Sequence, residues 1–248
     1  KDSNLQARFY VSASGSSGAL AAGDYLKDQF NTKIAVVEAV ECPTLLYNGY
    51  GEHNIQGIGD KHVPLIHNVM NTDFVVGVSD QATNNLNLLF NTDIGQNYLR
   101  SKKGLKDVFV NRLPELGFSS IANIIASIKL AKYMNLGPED AIITVATDGA
   151  DLYLTELEKT KKEFHGIYDE ISCAEIYGQF LKGITTDHTL ELNQREKERI
   201  FNLGYYTWVE QQGVDLNDFE ERRDQQFWLD HYNHFLALDE RIEEFNGL

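Results

Sequence analysis

The first forty residues contain the pattern that most limits the fold, an apolar run, a glycine-rich turn, a helical run and a second apolar run. The first apolar run covers residues 7–13 and ends at Ser14-Gly15-Ser16-Ser17-Gly18, and helix formers fill residues 19–30 before a second apolar run over 33–40. Strand, tight turn, helix and strand in this order are typical of a parallel sheet covered by helices. We therefore predict an α/β fold with a mostly parallel sheet and flanking helices.

The rest of the chain extends this pattern and then departs from it. Further strands are predicted over 73–78 and 140–147, the second of them buried, and helices over 80–98, 119–135 and 152–162, with Ser79-Asp80 supplying a helix cap. Beyond residue 166, charged and aromatic residues recur at helical spacing and no strand is predicted. We expect residues 1–165 to form the α/β domain and residues 166–248 a helical C-terminal extension.

Charge and cysteine content limit the partners. The chain has 22 basic and 37 acidic residues, a net charge of −15, which repels nucleic acid and anionic lipid. No apolar stretch approaches the ~20 residues that cross a bilayer. Cys42 and Cys173 lie far apart and suggest neither a disulfide framework nor a zinc site. We expect a cytoplasmic protein with no nucleic-acid partner, no membrane contact and no metal.

The turn after the first strand has the composition of an anion site. Small residues let the backbone approach a ligand closely, and the free amides at the start of a helix, with serine hydroxyls, suit a phosphate group. The residues concerned are Gly15, Ser16, Ser17, Gly18 and Ala19. An ordinary Gly/Ser turn has the same composition, so the turn alone leaves both interpretations open.

Four segments in fixed order resemble one enzyme family. Residues 9–27 (FYVSASGSSGALAAGDYLK), the loop Asn54-Ile55-Gln56-Gly57-Ile58-Gly59 followed by Pro64, residues 116–122 (LGFSSIA) and residues 145–155 (VATDGADLYLT) match in order and approximate spacing. They resemble segments of cysteine synthases and cystathionine β-synthases, the fold-type II (tryptophan synthase β-like) pyridoxal-phosphate enzymes. The resemblance covers the C-terminal half of such an enzyme.

The resemblance implies roles for several residues. Gly15 to Ala19 would hold the phosphate of pyridoxal 5'-phosphate, and Gly57 would line the cofactor. Thr147 would face the pyridine nitrogen, and because a neutral hydroxyl cannot keep that nitrogen protonated, loss of a β-substituent is favoured over transamination. If Asp148 faced the ring instead, this argument would reverse. Ser119 and Ser120 would lie near the substrate pocket without an assigned role.

The chain also departs from the family. It lacks both the "SxK" segment that carries the catalytic lysine and the "SGNxG" loop that binds the substrate carboxylate, so no catalytic residue is assigned. Five lysines are possible substitutes for the missing catalytic lysine, but we interpret them as ordinary solvated side chains: Lys27, Lys33, Lys61, Lys129 and Lys132. Five histidines (His53, His62 and His67 around the Gly57 loop, and His231 and His234) show no metal-binding pattern.

The function implied by the resemblance is β-elimination or β-replacement on an amino acid, in the manner of cysteine synthase or serine/threonine dehydratase. The catalytic lysine would lie in a missing N-terminal part or on a second chain, and the full-length form would be a homodimer. Two alternatives remain open. One is a non-catalytic binding or regulatory module that keeps the fold without forming a Schiff base, and the other is an α/β protein that binds another phosphorylated ligand. The substrate does not follow from these segments.

Overall fold

The computed structural model describes residues 4–59 and 61–247. Within these ranges four strands alternate with helices along the first two-thirds of the chain, and a fifth strand follows in the last third. The strands are β1 Gln6–Ala13, β2 Lys33–Ala39, β3 Phe74–Val78, β4 Asp140–Thr144 and β5 Thr189–Glu191. The α-helices are α1 Leu20–Phe30, α2 Thr44–Tyr47, α3 Asp80–Asn91, α4 Asp93–Ser101, α5 Asp107–Val110, α6 Phe118–Tyr133, α7 Leu154–Glu163, α8 Glu170–Tyr177, α9 Gln194–Tyr205, α10 Leu216–Glu220 and α11 Gln225–Asn246.

The strands form one sheet in the order β4-β1-β2-β3-β5. The first four strands run parallel, and β5 pairs antiparallel with β3. Since parallel neighbours need crossover connections, each pair is joined by at least one helix. The predicted α/β class with a mostly parallel sheet is therefore confirmed. None of the described helices is both long and apolar enough to cross a membrane.

Helices cover both faces of the sheet because its central strands are apolar on both sides. One face, with Phe9, Val37 and Val76, packs against α3 and α6 in a single buried cluster. The other face, with Ile34 and Val75, packs against α1 and the C-terminal region. This double burial is characteristic of parallel strands and explains their continuous runs of β-branched residues.

The predicted helix over residues 80–98 is broken at Thr92. Its start is as expected, since the Ser79 hydroxyl accepts from the Ala82 amide at 3.2 Å. At Thr92 the backbone is extended (φ −114°, ψ 148°), and the Thr92 hydroxyl accepts from the Gly95 amide at 3.2 Å. Because the threonine caps a second helix, the segment forms α3 and α4 rather than one helix.

Two strands differ from the sequence predictions. The fourth strand was expected to be buried over residues 140–147, but β4 ends at Thr144, lies at the sheet edge and has no buried residue. The C-terminal region was expected to lack strands, but β5 extends the other edge through the pairing of Val75 with Leu190. A three-residue strand is too short to produce a detectable alternation of apolar and polar residues.

Hydrogen bonds from two positively charged side chains join the C-terminal region to the α/β body. The Arg199 guanidinium on α9 donates to the carbonyl oxygens of Leu45 and Leu46, at 2.8 and 3.3 Å, which lie on α2. Lys129 on α6 is 7% exposed, and its ammonium donates to the Gly77 carbonyl and to Asp187, each at 2.9 Å. The interpretation of Lys129 as a solvated side chain is therefore wrong.

Replacing Lys129 with methionine keeps the length of the side chain but removes all of these donors. Because the Gly77 and Asp187 carbonyls then lose their partner, we expect Lys129→Met to lower the free energy of unfolding by about 1–3 kcal/mol. The measurement is urea denaturation followed by circular dichroism. Lys161→Met, on an exposed part of α7, is the matched control and should change stability by less than about 0.5 kcal/mol. Equal effects of the two substitutions would contradict the proposed role of Lys129.

Candidate anion-binding site

The glycine-serine turn connects β1 to α1 at the carboxyl edge of the sheet. Ser17 adopts a left-handed conformation (φ 69°), and the amides of Leu20 and Ala21 donate to the carbonyls of Ser17 and Gly18. The Ser14 and Ser17 hydroxyls lie 3.0 Å apart. Ligands of open parallel sheets bind at this edge, beyond the carboxyl ends of the strands.

The backbone amides of this turn have no protein partner. Within residues 4–59 and 61–247, none of the five amides from Gly15 to Ala19 donates a hydrogen bond to another protein group. A Cβ atom added at Gly18 would meet nothing within 4 Å. Successive unpaired amides with open space beside them form a concave donor site for an anion. We call the segment Gly15–Ala19 the anion loop.

The Gly57 loop packs directly against the anion loop. The Gly59 amide donates to the Ser14 carbonyl at 2.8 Å, and a Cβ added at Gly15 would lie 3.5 Å from the Gly57 carbonyl oxygen. Gly57 and Gly59 have φ values of +79° and +81°, a conformation that favours glycine. A Cβ at Gly59 would also lie 2.2 Å from His53 Nε2. The two loops that the sequence placed far apart are thus in contact.

The start of the Gly57 loop is held by the first turn of α3. The Asp80 carboxylate accepts from the amides of Asn54 and Ile55, at 2.6 and 3.2 Å. The Asp80 amide in turn donates to both Glu41 carboxylate oxygens, at 3.0 and 3.1 Å. Burial raises the pKa of both Asp80 and Glu41.

Thr147 belongs to a chain of hydroxyl groups that ends on a carboxylate. Its Oγ1 donates to Asp148 Oδ1 at 3.0 Å and lies 3.1 Å from Ser119 Oγ. The Tyr153 hydroxyl donates to the second oxygen of Asp148. Burial and this hydrogen bond raise the pKa of Tyr153 to about 12. Since the single Thr147 proton is directed to Asp148, the Thr147 oxygen is left as an acceptor.

Both Asp148 oxygens accept hydrogen bonds from protein hydroxyls. A Cβ added at Gly117 would lie 2.5 Å from Asp148 Oδ1, so Asp148 packs closely against the residue that precedes α6. The Gly117 amide donates to the Asp148 carbonyl at 2.8 Å. Thr147 is exposed and Asp148 is half-buried, and both line the same open cavity. Thr147 is therefore the more accessible of the two residues.

Asn123 connects the anion loop to the Thr147 segment. From α6, its carbonyl oxygen accepts from the Ala13 amide at 2.7 Å and its amide donates to the Val145 carbonyl at 2.9 Å. Asn123 is 2% exposed. Val11 of β1 pairs with Thr144 of β4, and three residues after these positions the two segments reach Ser14 and Thr147. One side chain thus fixes the point where both strands leave the sheet.

Two of the predicted site residues, Gly15 and Thr147, line different cavities. Gly15 lines a cavity of about 20 Å³ with Glu38, Gly59 and His67, whereas Thr147 lines an open cavity of about 710 Å³ with residues of α3 and α7. The structure brings Gly15 and Gly57 into contact and places Thr147 at the end of the adjacent strand. It does not enclose all of them in one cavity.

Glu38 lies in the small cavity behind the anion loop. Its two carboxylate oxygens accept from the amides of Leu45 and Leu46, at 2.9 and 2.8 Å. Burial raises the pKa of Glu38 to about 7, against the opposing effect of these amides and of Arg199. The carboxyl group caps the short helix α2 and leaves no oxygen unbonded for a ligand.

The three histidines near the Gly57 loop have structural contacts. His67 is 5% exposed, its Nε2 lies 2.9 Å from the Thr72 hydroxyl, and burial lowers its pKa to about 4. The ring of His62 packs edge-on against Trp208, with centroids 5.4 Å apart. His53 packs against Gly59. Among the described residues, no group of three or more His, Cys, Asp and Glu side chains could hold a metal ion.

The remaining lysines also have contacts of their own. Lys27 forms a 2.8 Å ion pair with Asp73, and the Lys132 ammonium donates to the Ile184 carbonyl at 2.5 Å. Lys33 lies 3.4 Å from Glu191, and Lys61 lies over the Tyr50 ring at 4.9 Å. Together with the buried Lys129, these contacts account for all five lysines that the sequence offered as substitutes for a catalytic lysine.

Sequence reasoning missed the residues that support the loops. The side chains of Asn123, Glu38 and Asp80 each form hydrogen bonds with two backbone groups that lie outside their own helix or strand. The signal for Glu38 was available, since a lone carboxylate interrupts the apolar run of residues 33–40. Asn123 was likewise a lone amide on the apolar side of a helix, and a buried polar group needs partners.

Fold and loop together define an α/β protein with a glycine-serine turn at the carboxyl edge of a mostly parallel sheet. Over 158 residues the chain is 30% identical to cysteine synthase B of Campylobacter jejuni, a match that covers 62% of this chain and 45% of that protein. The chain thus spans about half the length of this curated relative. No family model matches.

Comparison with solved structures shows a similar fold. O-acetyl serine sulfhydrylase isoform 3 from Entamoeba histolytica superimposes with a TM-score of 0.50 at 21% identity, covering 70% of this chain and 46% of that one. A hydrogen sulfide-producing enzyme from Fusobacterium nucleatum gives a TM-score of 0.48 at 25% identity, covering 70% and 45% of the two chains. The resemblance to fold-type II enzymes of the cysteine synthase type is confirmed over this part of the chain.

Removal of the Asn123 amide should release the two backbone groups that it joins. We expect Asn123→Leu to lower the free energy of unfolding by about 1–3 kcal/mol, because a buried N–H and a buried C=O lose their partner. Hydrogen exchange provides the specific measurement, with the Ala13 amide exchanging faster in the variant. Ser127→Ala removes a hydroxyl that bonds within α6 and is the control. Unchanged protection of Ala13 in Asn123→Leu would contradict this role.

Burial of neutral His67 should make stability depend on pH. With a pKa of about 4 in the folded state and about 6.5 in the unfolded chain, the unfolded state binds more protons, so stability falls as the pH drops from 6.5 to 4. His67→Gln removes this contribution. We expect the unfolding free energy of the native protein, relative to His67→Gln, to fall by on the order of 2 kcal/mol between pH 7 and pH 4.5. Urea denaturation at both pH values measures it, and a pH-independent difference would refute the assignment.

Proposed function

We propose that this chain is the cofactor-phosphate-binding part of a pyridoxal-phosphate-dependent enzyme. The reaction class is β-elimination or β-replacement on an amino acid. The observation that carries the proposal is the anion loop, whose amides have no partner among residues 4–59 and 61–247 and which contacts the Gly57 loop. An enzyme of the cysteine synthase type accounts for both loops and for the Thr147 segment together. Another phosphorylated ligand accounts for the anion loop alone.

Each predicted residue has a role that its surroundings support. The anion loop (Gly15, Ser16, Ser17, Gly18 and Ala19) would hold the cofactor phosphate through backbone amides and serine hydroxyls. Gly57 would lie along the cofactor. Thr147 would face the ring nitrogen, and its hydroxyl, which donates to Asp148 in this structure, would donate to the unprotonated nitrogen instead when the cofactor is bound. When bound, pyridoxal phosphate supplies the electron sink that weakens bonds of the amino acid.

The hydrogen bond from Tyr153 to Asp148 supports the choice of Thr147 as the group near the ring. A carboxylate at that nitrogen would keep it protonated, whereas a hydroxyl does not. Asp148 accepts from the Tyr153 hydroxyl, which stabilises the Asp148 charge within the protein. This arrangement favours loss of a β-substituent over transamination.

The proposal extends to the rest of the protein. Residues 1–165 would form the phosphate-binding domain and residues 166–248 an extension packed against it. The catalytic lysine would be supplied by an N-terminal domain or a second chain, and the complete enzyme would be a cytoplasmic homodimer. One observation favours the alternative of a non-catalytic module, namely that all five candidate lysines have contacts of their own.

A matched pair of substitutions at Gly18 tests the loop. The position is open, so Gly18→Asp and Gly18→Asn should both fold, and they differ by one negative charge. A like charge about 4 Å from the phosphate costs about 1–4 kcal/mol, so we expect Gly18→Asp to weaken binding of pyridoxal phosphate at least tenfold relative to Gly18→Asn. Fluorescence titration of the full-length protein measures this. Binding of pyridoxal, which lacks the phosphate, should differ far less between the variants.

Absorbance and labelling then separate the enzyme from the module. An absorbance band of bound cofactor in full-length protein, with the borohydride-reduced label on a lysine outside these 248 residues, supports the enzyme. Equal affinity of the two Gly18 variants for pyridoxal phosphate would refute the role of the loop. If pyridoxal phosphate added to full-length protein produces neither a band nor a label, the enzyme assignment fails and a binding module remains.

A further inference from the structure

The last helix, α11, extends away from the α/β body with an apolar side uncovered. Its first turn is anchored, since Asn68 and Gln225 exchange two hydrogen bonds of 3.0 and 3.1 Å and Trp228 Nε1 donates to the Arg222 carbonyl at 2.9 Å. Beyond that turn, every residue from Leu229 to Gly247 whose side chain is described is exposed. The helix therefore has about five turns with no cover from the described part of the chain.

Five large apolar side chains share one side of this exposed segment. They lie at spacings of three and four residues, which places them along one stripe of a helix. Their exposed fractions range from 47% to 77%, and we call them the α11 stripe: Tyr232, Phe235, Leu238, Ile242 and Phe245. A helix segment of this length is marginal in water when it packs against nothing, so its stability requires a partner for the stripe.

The stripe has the periodicity of a helix pair. Phe235 and Ile242 are seven residues apart, as are Leu238 and Phe245, and the two sets alternate as the a and d positions of a heptad repeat. The same surface on a second copy can therefore interdigitate with it. The opposite side of the helix carries Asn233, Ala237, Glu240 and Glu244, which suits solvent.

Charges on the two flanks of the stripe select the direction of pairing. In this repeat the e positions are Asp239 and Asn246, and the g positions are His234 and Arg241. In a parallel pair each g residue faces the e residue of the next heptad of the partner, which brings His234 to Asp239 and Arg241 to Asn246, whereas in an antiparallel pair g faces g and the two basic flanks meet. Within the described residues, His234, Asp239 and Arg241 form no ion pair in their own chain. The flanks are thus complementary to a second copy in parallel orientation.

We propose that α11 pairs with α11 of a second copy of this chain, in parallel, through the α11 stripe. The contact is independent of the proposed enzymatic function and of any association through the α/β body. With a net charge of −15 the two bodies repel each other, so the pair should be stronger at physiological ionic strength than at low salt.

Cysteine cross-linking tests both the partner and the direction. In a parallel pair Leu238 faces its own counterpart, so Leu238→Cys should form a disulfide-linked dimer under mild oxidation. Ala237→Cys, its neighbour on the outer side of the helix, is the control and should yield at least tenfold less dimer at the same protein concentration. Cys42 and Cys173 are buried and give little background. Equal yields for the two variants would overturn the proposal.

Mixed cross-linking distinguishes the antiparallel arrangement. There, with the whole stripe paired, Leu238 of one copy would face Ile242 of the other, so a mixture of Leu238→Cys and Ile242→Cys would cross-link more than Leu238→Cys alone. That result would overturn the parallel pair.

Charge substitutions test the same surface without cross-links. Phe235→Glu with Leu238→Glu should abolish association through α11, measured by light scattering, whereas Asn233→Glu with Ala237→Glu adds the same charge on the outer side and should retain it. All four positions are exposed, so the thermal unfolding transition of the body should be unchanged in both variants. Equal molar masses for the two double variants would refute the stripe as an interface.

Discussion

Parallel pairing of β1 with β4 on one side and β2 on the other is the constraint on which the site depends. Because these strands run in the same direction, the segments that follow them all emerge at one edge. The anion loop follows β1 and Thr147 follows β4, so the pairing of Val11 with Thr144 determines their proximity. Asn123 then fixes both exits through two hydrogen bonds from one buried amide. Because Asn123 lies on α6, this helix positions both segments where they leave the sheet.

Sequence patterns predicted the elements that repeat over many residues. The first three strands, α1 and α6 lie within a few residues of their predicted bounds, because continuous apolar runs and helical periodicity are strong signals over that length. The resemblance over four segments assigned the anion loop and the Gly57 loop to one cofactor, which no local pattern contains, and the structure brings the two loops into contact. Short features were missed, since β5 has three residues and Thr92 breaks a helix with a single capping hydroxyl.

Positions within the sheet were harder to predict than the elements themselves. The apolar run of β4 suggested a buried strand, yet β4 lies at an edge with none of its residues buried. Burial depends on which neighbours a strand acquires, and the sequence of the strand does not contain that information. The supporting residues were missed for a related reason. A lone polar residue such as Asn123 or Glu38 signals a partner without identifying it.

The C-terminal region is part of the folded body rather than a separate appendage, up to α11. Ile200 and Phe219 share a core with Ile34 of the sheet, and Arg199 and Lys129 bond across the junction. From Leu229 onward this integration ends, and the apolar surface of the helix is exposed. Within the described residues, two regions thus lack a partner, and they differ in chemistry. The anion loop has unpaired amides, and the α11 stripe has uncovered apolar area.

Titration with inorganic phosphate, followed through the backbone amide resonances of the anion loop, tests the central claim most directly. If Gly15 to Ala19 form an anion site, their amide shifts should change saturably with phosphate, while chloride at matched ionic strength leaves them unmoved. The amides of Gly104 and Gly213, in other turns with positive φ, should respond to neither salt. Loop amides that shift no more with phosphate than with chloride would contradict the account.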